Sequence, residues 1–191
     1  MPDRSRLHLT TTTTRHYSIF IYMKGNRTAI FTGTFDPFTI GHASIIERAL
    51  PLFDRIVVGV AAGKLKQAGA DVEERTRTIS HLYAHEPRIE TVAYNDLTID
   101  LAKRVAADCI IRGVRSAKDF EYERDQAEIN RRLSGIETLL LFAEPGLAAI
   151  SSSLVRELRY FGHPADEFLP RPAAPDSPAE NPDNPESQSQ P

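Results

Sequence analysis

The sequence has little cysteine and lacks long hydrophobic runs. Cys109 is the only cysteine among 191 residues, which excludes an internal disulfide and a zinc site built from several cysteines. Its setting, Cys109-Ile110-Ile111, is typical of a buried strand residue in a reducing compartment, so we expect a cytoplasmic protein. No stretch in the first 22 residues is long enough for a signal-peptide core or a membrane span, and we expect no membrane association.

The chain also lacks an excess of positive charge. Its formal net charge is −3, and the region between the two ends is slightly acidic. A general nucleic-acid binder needs a broad basic face that displaces counterions from phosphates. The composition therefore argues against nucleic acid as a partner.

The two ends of the chain have little to bury. Residues 1–22 contain five consecutive threonines and precede a second methionine, Met23, so we expect a disordered extension that arises from the choice of start site. Residues 170–191 are rich in Pro, Ser, Asn, Ala and acidic residues, which predicts a disordered tail. Residues 23–169 are long enough to form one ordinary domain.

Strand and helix patterns alternate through this central region. The apolar runs predict strands at residues 28–33, 55–61, 89–93, 109–111 and 138–142. Helical periodicity predicts helices at residues 42–53, 99–107, 117–133 and 152–161, and one that begins with a capping box at Asp71. This alternation predicts a doubly wound α/β fold with a five-stranded parallel sheet. Ligands in such folds bind outside the carboxyl ends of the strands, at the switch point.

The first predicted strand runs directly into a polar turn and a helix. Gly33 ends the strand where the backbone is expected to approach a ligand closely, and Pro37 favours an extended Asp36. Thr39 and His42 are three residues apart, so they share one face of a helix that begins near Thr39. An imidazole there could donate a hydrogen bond to a phosphoryl oxygen as charge develops. The alternative is that Thr39 and His42 only cap the helix.

Three other segments fit the same end of the sheet. Arg112 and Arg115, which are separated by Gly113 and Val114, are expected just past a strand. Their planar guanidinium groups suit phosphate oxygens. The serines at positions 151–153 begin a helix, where they are either N-caps or phosphate ligands. Lys66 follows the second strand, and considered alone it is an ordinary solvated lysine.

The motif G-T-F-D-P-x-T-x-G-H, from Gly33 to His42, resembles the nucleotidylyltransferases, and in particular the phosphopantetheine adenylyltransferase family. The resemblance covers residues 28–170 and implies a Rossmann-like nucleotidylyltransferase fold. It implies adenylyl transfer from ATP to 4′-phosphopantetheine, a step of coenzyme A biosynthesis that yields dephospho-coenzyme A and pyrophosphate. Two residues depart from the family pattern: Ile40 replaces a frequent asparagine, and Leu147 a frequent aromatic residue.

The resemblance also implies roles for individual residues. His42 is implied to stabilise the transition state, and Thr34 to contact both substrates. Phosphopantetheine is implied to bind at Thr34, Lys66, Thr98 and Arg112. The implied ATP-binding set is Thr34, Phe35, His42, Gly113, Val114, Arg115, Glu123, Ile150, Ser151, Ser152 and Ser153. The resemblance further implies a homohexamer, coenzyme A as a feedback inhibitor, and Mg²⁺ that arrives bound to ATP without dedicated protein ligands.

Two other functions remain open at this point. The same fold could transfer a nucleotide to nicotinamide mononucleotide or to an alcohol phosphate, although the two arginines with the three serines favour the pantetheine branch. Alternatively, the protein could be a nucleotide-binding regulator without turnover. The presence of both His42 and Lys66 argues against the regulator.

Overall fold

A computed structural model of the protein describes residues 26–62 and 69–172. It contains a sheet of five strands, which are β1 (Thr28–Gly33), β2 (Arg55–Ala61), β3 (Ile89–Tyr94), β4 (Cys109–Val114) and β5 (Glu137–Phe142). The strand order is β3-β2-β1-β4-β5, and every neighbouring pair is parallel. The predicted doubly wound α/β fold is therefore confirmed. Lys66, the extension at residues 1–22 and the tail beyond residue 172 lie outside the described residues.

Five α-helices connect or follow these strands in the described part of the chain: α1 (Ile40–Ala49), α2 (Gly69–Leu82), α3 (Thr98–Arg104), α4 (Ala117–Ser134) and α5 (Ser152–Tyr160). Short 3₁₀ turns occupy Leu50–Leu52, Pro145–Leu147 and Asp166–Phe168. The predicted capping box at Asp71 is wrong, because α2 already begins at Gly69.

Two predicted helices end earlier than expected, each for a local reason. The first ends at Ala49 and tightens into a 3₁₀ turn, because Pro51 has no N–H to continue the α-helical hydrogen bonding. The third ends at Arg104, and two residues later Ala106 has a left-handed φ of 53°. A left-handed residue cannot continue a right-handed helix.

The sheet has a hydrophobic core on each face, as expected where helices cover both sides. Consecutive residues of the central strands alternate between the two cores. Phe31, Val58 and Ile111 join the core that includes α1 and α2, whereas Ile30, Val57 and Ile110 join the core that includes α3. Cys109 was predicted to be buried, but it is only half-buried because it is the first residue of β4. This partial burial raises the pKa of its thiol.

The pairing of β1 with β4 stops before either strand ends. The register joins residues 29–31 to residues 109–111, whereas β1 continues to Gly33 and β4 to Val114. The connection after β1 leads towards β2 on one side, and β4 leads towards β5 on the other. The two strands therefore leave an opening at the switch point, where this fold class binds ligands.

Candidate active site

A cavity of about 700 Å³ lies at this opening. Its walls come from the turn after β1, the start of α1, the end of β4, α4 and the start of α5. The cavity therefore occupies the place at which the sequence predicted a ligand site. It is lined by the predicted residues Thr34, Phe35, His42, Thr98, Arg112, Gly113, Val114, Arg115, Glu123, Ile150, Ser151, Ser152 and Ser153.

His42 is held by Thr39, the N-cap residue of α1. The backbone N–H of Thr39 donates to Nδ1 of His42 over 2.9 Å, and Oγ1 of Thr39 lies 3.0 Å from the same nitrogen. Because Nδ1 accepts a hydrogen bond from a backbone N–H, it cannot carry a proton in this arrangement. The neutral ring therefore carries its proton on Nε2, and Nε2 is a hydrogen-bond donor.

The environment of His42 favours the neutral ring. Burial of the ring, together with the positive charges of Arg115 and Arg112, lowers the pKa of His42 to about 4. At neutral pH the imidazole is therefore uncharged and offers a fixed N–H donor to the cavity. The capping contact with Thr39 and a place in the cavity wall are not alternatives, because the ring has both.

Aromatic rings surround this histidine. The ring centroids of Phe35 and Phe38 lie 5.1 and 5.3 Å from that of His42. Phe35 is buried and has a left-handed φ of 49°. A Cβ at Gly33 would lie 2.9 Å from Cε1 of Phe35. A glycine is therefore needed at this position because it leaves room for the ring of Phe35.

Arg112 does not lie past the strand, as the sequence predicted, but within it, since β4 extends to Val114. Its Nε donates to Glu123 over 2.7 Å and its Nη2 over 2.6 Å, while Nη1 donates to the carbonyl of Thr32. Arg115 does follow the strand directly. Its Nε donates to Asp119 over 2.9 Å near the protein surface.

The three serines at the start of α5 all have partners within the protein. Ser151 is the N-cap and accepts from the N–H of Leu154 over 3.1 Å, so the capping interpretation is correct for this residue. Ser152 donates to the carbonyl of Pro37 over 2.8 Å. Ser153 accepts from Nη2 of Arg156 over 3.2 Å. The contact of Ser152 joins α5 to the turn after β1, and the residues at the start of the helix line the cavity.

The other predicted residues have mainly local contacts. Thr98 begins α3, and its hydroxyl lies 3.3 Å from that of Tyr94. The carbonyl of Thr34 accepts from Arg75. Of the two departures from the family pattern, Leu147 lines the cavity, whereas Ile40 is the first residue of α1.

Two arginines that bind backbone carbonyls of the turn after β1 were not predicted from the sequence. Arg156 lines the cavity and donates to the carbonyl of Asp36. Its spacing of four residues from Ser152 places both on one helix face, and this signal could have identified it. Arg75 is buried in α2 and also donates to the carbonyl of Ala61 over 3.3 Å. That contact brings distant segments together, and no local pattern indicates it.

Within residues 26–62 and 69–172, no group of three or more His, Cys, Asp or Glu side chains is arranged to hold a metal ion. None of the helices in these same ranges has both the length and the apolar character needed to cross a membrane.

Comparison with known proteins places the chain in a family. Residues 30–158 match the model of the cytidylyltransferase-like family. The chain is 50% identical over 144 residues to the phosphopantetheine adenylyltransferase of Bacteroides thetaiotaomicron, an alignment that covers 75% of this chain and 95% of that protein. The chain belongs to the phosphopantetheine adenylyltransferase family.

A second member of this family, from Phocaeicola vulgatus, is 51% identical over 144 residues, which cover 75% of this chain and 95% of that protein. Among solved structures, a bifunctional NMN adenylyltransferase/ADP ribose pyrophosphatase from Francisella tularensis has a similar fold, with a TM-score of 0.57 and 13% identity. That alignment covers 76% of this chain but 45% of the larger protein. At this low identity, the similarity shows only that the two proteins share a fold.

Proposed function

We propose that the protein transfers the adenylyl group of ATP to 4′-phosphopantetheine, which yields dephospho-coenzyme A and pyrophosphate in coenzyme A biosynthesis. The observation that carries the proposal is the position of His42. Its neutral ring, with the proton on Nε2, lines the same cavity as Arg112 and Arg115. Relatives named for this activity, at about half identity over nearly their whole length, support the choice of substrates.

The reaction is an in-line displacement at phosphorus. A terminal phosphate oxygen of 4′-phosphopantetheine forms a bond to the α-phosphorus of ATP, and the bond from that phosphorus to the bridging oxygen of the β-phosphate breaks. The electron pair leaves with pyrophosphate. Because a phosphate monoester is already anionic near neutral pH, the reaction needs positioning and charge stabilisation more than a strong base.

The residues of the cavity fit these two requirements. Nε2 of His42 donates to an oxygen of the α-phosphate, where negative charge develops, and the ring keeps its proton throughout. The N–H groups at the start of α5 and the guanidinium of Arg115 face the triphosphate. Arg112 meets the phosphate of the acceptor, as does Lys66 from the segment outside the described residues. Mg²⁺ enters as part of the MgATP substrate.

Three further properties complete the proposal. The active protein is a homohexamer, coenzyme A inhibits it by feedback, and it works in the cytoplasm. Light scattering coupled to size-exclusion chromatography tests the first property, since a monomer has a mass of 21.3 kDa. Inhibition of the initial rate by coenzyme A, at fixed ATP and acceptor, tests the second.

Pyrophosphate release from MgATP tests the activity itself. The reaction is run with 4′-phosphopantetheine, with nicotinamide mononucleotide, and with glycerol 3-phosphate, the last with CTP as well as ATP. Turnover with phosphopantetheine alone supports the proposal. Turnover only with another acceptor supports adenylyl or cytidylyl transfer but contradicts 4′-phosphopantetheine as the acceptor. Folded protein that binds ATP and turns over none of the acceptors contradicts enzymatic function and favours a nucleotide-binding regulator.

A further inference from the structure

Helix α4 carries an unusual residue on its inner face. Its sequence is dominated by polar and charged side chains, and the residue it buries is Glu123, with 7% of its surface exposed. Burying a carboxylate costs free energy unless an opposite charge and hydrogen bonds compensate for the lost water. An apolar side chain would serve the packing of this helix at lower cost. The charge at this position therefore points to a role other than packing.

Both oxygens of the Glu123 carboxylate bind one partner. Oε2 accepts from Nε of Arg112 over 2.7 Å and Oε1 accepts from Nη2 over 2.6 Å. This is the two-pronged geometry in which a carboxylate fixes the plane of a guanidinium. The side chain of Glu123 is 10% exposed and that of Arg112 is 28% exposed, so the arginine lies nearer to the open cavity than the glutamate does.

A second element fixes the same guanidinium. Nη1 of Arg112 donates to the carbonyl of Thr32 and lies 3.3 Å from its hydroxyl. Thr32 follows the last residue of β1 that pairs with β4, so the arginine side chain spans the two strands where their pairing stops. With Nε bound to Glu123 and Nη1 to Thr32, Nη2 keeps a second N–H that can donate to an anion in the cavity.

We propose that Glu123 is a positioning residue that acts through Arg112: it fixes the guanidinium so that the remaining N–H meets the phosphate of the acceptor substrate. This differs from the direct ATP contact that the family resemblance implies for Glu123. In this structure both of its oxygens accept hydrogen bonds from Arg112, so the contact that the structure shows for Glu123 is with the arginine. The inference rests on the proposed function, because it assigns the acceptor phosphate to Arg112.

Steady-state kinetics in both substrates separate the two roles. The wild-type protein is first assayed against the acceptor panel, and the acceptor that it uses is taken forward, so an unexpected acceptor corrects the proposed function without affecting this test. Glu123→Gln keeps the size of the side chain and removes the charge. The expected result is a rise in KM for the acceptor on the order of 10- to 100-fold, with KM for ATP changed by less than about 2-fold.

The matched control is Glu121→Gln, which makes the same chemical change at an exposed position of α4 and should leave both KM values unchanged. A rise in KM for ATP in Glu123→Gln, with the acceptor unaffected, would overturn the proposal. If Glu123→Gln does not fold, Glu123→Asp decides the question. It keeps the charge but shortens the reach, and the KM for the acceptor should again rise while that for ATP does not.

A double variant tests directly whether Glu123 acts through Arg112. If Glu123 acts only by fixing Arg112, then adding Glu123→Gln to Arg112→Ala causes no further rise in KM for the acceptor. Independent, multiplicative effects of the two substitutions would contradict the proposal. Thermal unfolding of each variant, compared with wild type, shows that the kinetic change belongs to folded protein.

Discussion

Thr39 donates its backbone N–H to Nδ1 of His42 over 2.9 Å. This contact decides which nitrogen of the ring carries the proton, and therefore which one can serve as a donor in the cavity. The donor comes from the backbone at the start of α1 and is independent of the side chain at position 39. The helix start thus orients the one side chain on which the proposed chemistry most depends.

Loss of the imidazole should reduce turnover without unfolding the protein. In His42→Ala we expect kcat to fall on the order of 10²- to 10³-fold, because a preorganised donor to the α-phosphate is lost. Initial rates of pyrophosphate release measure the effect, and circular dichroism verifies the fold. His81→Ala, which removes an exposed histidine of α2, is the matched control. Near-normal turnover in His42→Ala would contradict the assigned role.

His42 should also make stability depend on pH. Its pKa is 6.5 in an ordinary environment and about 4 in the folded protein. Between these values the unfolded chain takes up a proton that the folded chain does not, so the free energy of unfolding falls as the pH drops from 6.5 towards 4. Urea unfolding of wild type and His42→Gln across this range measures the difference. The variant should lose part of the pH dependence, and identical slopes would count against a neutral His42.

The thiol of Cys109 should react slowly in the native protein. Partial burial raises the pKa of this thiol, which lowers the fraction of reactive thiolate near neutral pH. Modification by a disulfide reagent such as dithionitrobenzoate, followed by absorbance, should be much slower than for the same protein in denaturant. A native rate equal to the denatured rate would show that the thiol is fully accessible.

Gly59 should resist substitution because the sheet and α3 meet there. A Cβ at this position would lie 2.5 Å from Cδ2 of Leu101 and 3.0 Å from Cγ2 of Thr32. Gly59→Ala is expected to lower the free energy of unfolding by about 1–3 kcal/mol, as overpacked cores do. Denaturant unfolding measures it. Gly146→Ala, where nothing lies within 4 Å of the added Cβ, should change stability by less than about 0.5 kcal/mol.

The sequence was sufficient to predict the alternation of strands and helices along the chain, but not the contacts between side chains. Alternating apolar runs predicted the parallel sheet, and the segment from Gly33 to His42 predicted the place of the cavity, because both depend on local pattern and on a general property of such sheets. The partner of Arg112 could not be predicted in this way. Its contacts with Thr32 and Glu123 join β4 to β1 and to α4, and only the folded chain brings these elements together.

The contacts of the serines were also only partly predictable from the local sequence. Capping was one predicted role of these residues, and Ser151 is the N-cap of α5. The hydrogen bond from Ser152 to the carbonyl of Pro37, 115 residues earlier in the chain, was not predicted. Gly33 illustrates the same limit. Its position at the end of β1 was predicted, but the close neighbour that requires a glycine is the ring of Phe35.

Identification of the reaction products tests the central claim most directly. After incubation of the protein with MgATP and 4′-phosphopantetheine, mass spectrometry should detect dephospho-coenzyme A and pyrophosphate in equimolar amounts, both greatly reduced in His42→Ala. ADP or inorganic phosphate as the primary product would indicate that another bond of the triphosphate is broken. Unchanged 4′-phosphopantetheine in the presence of folded, ATP-binding protein would contradict adenylyl transfer altogether.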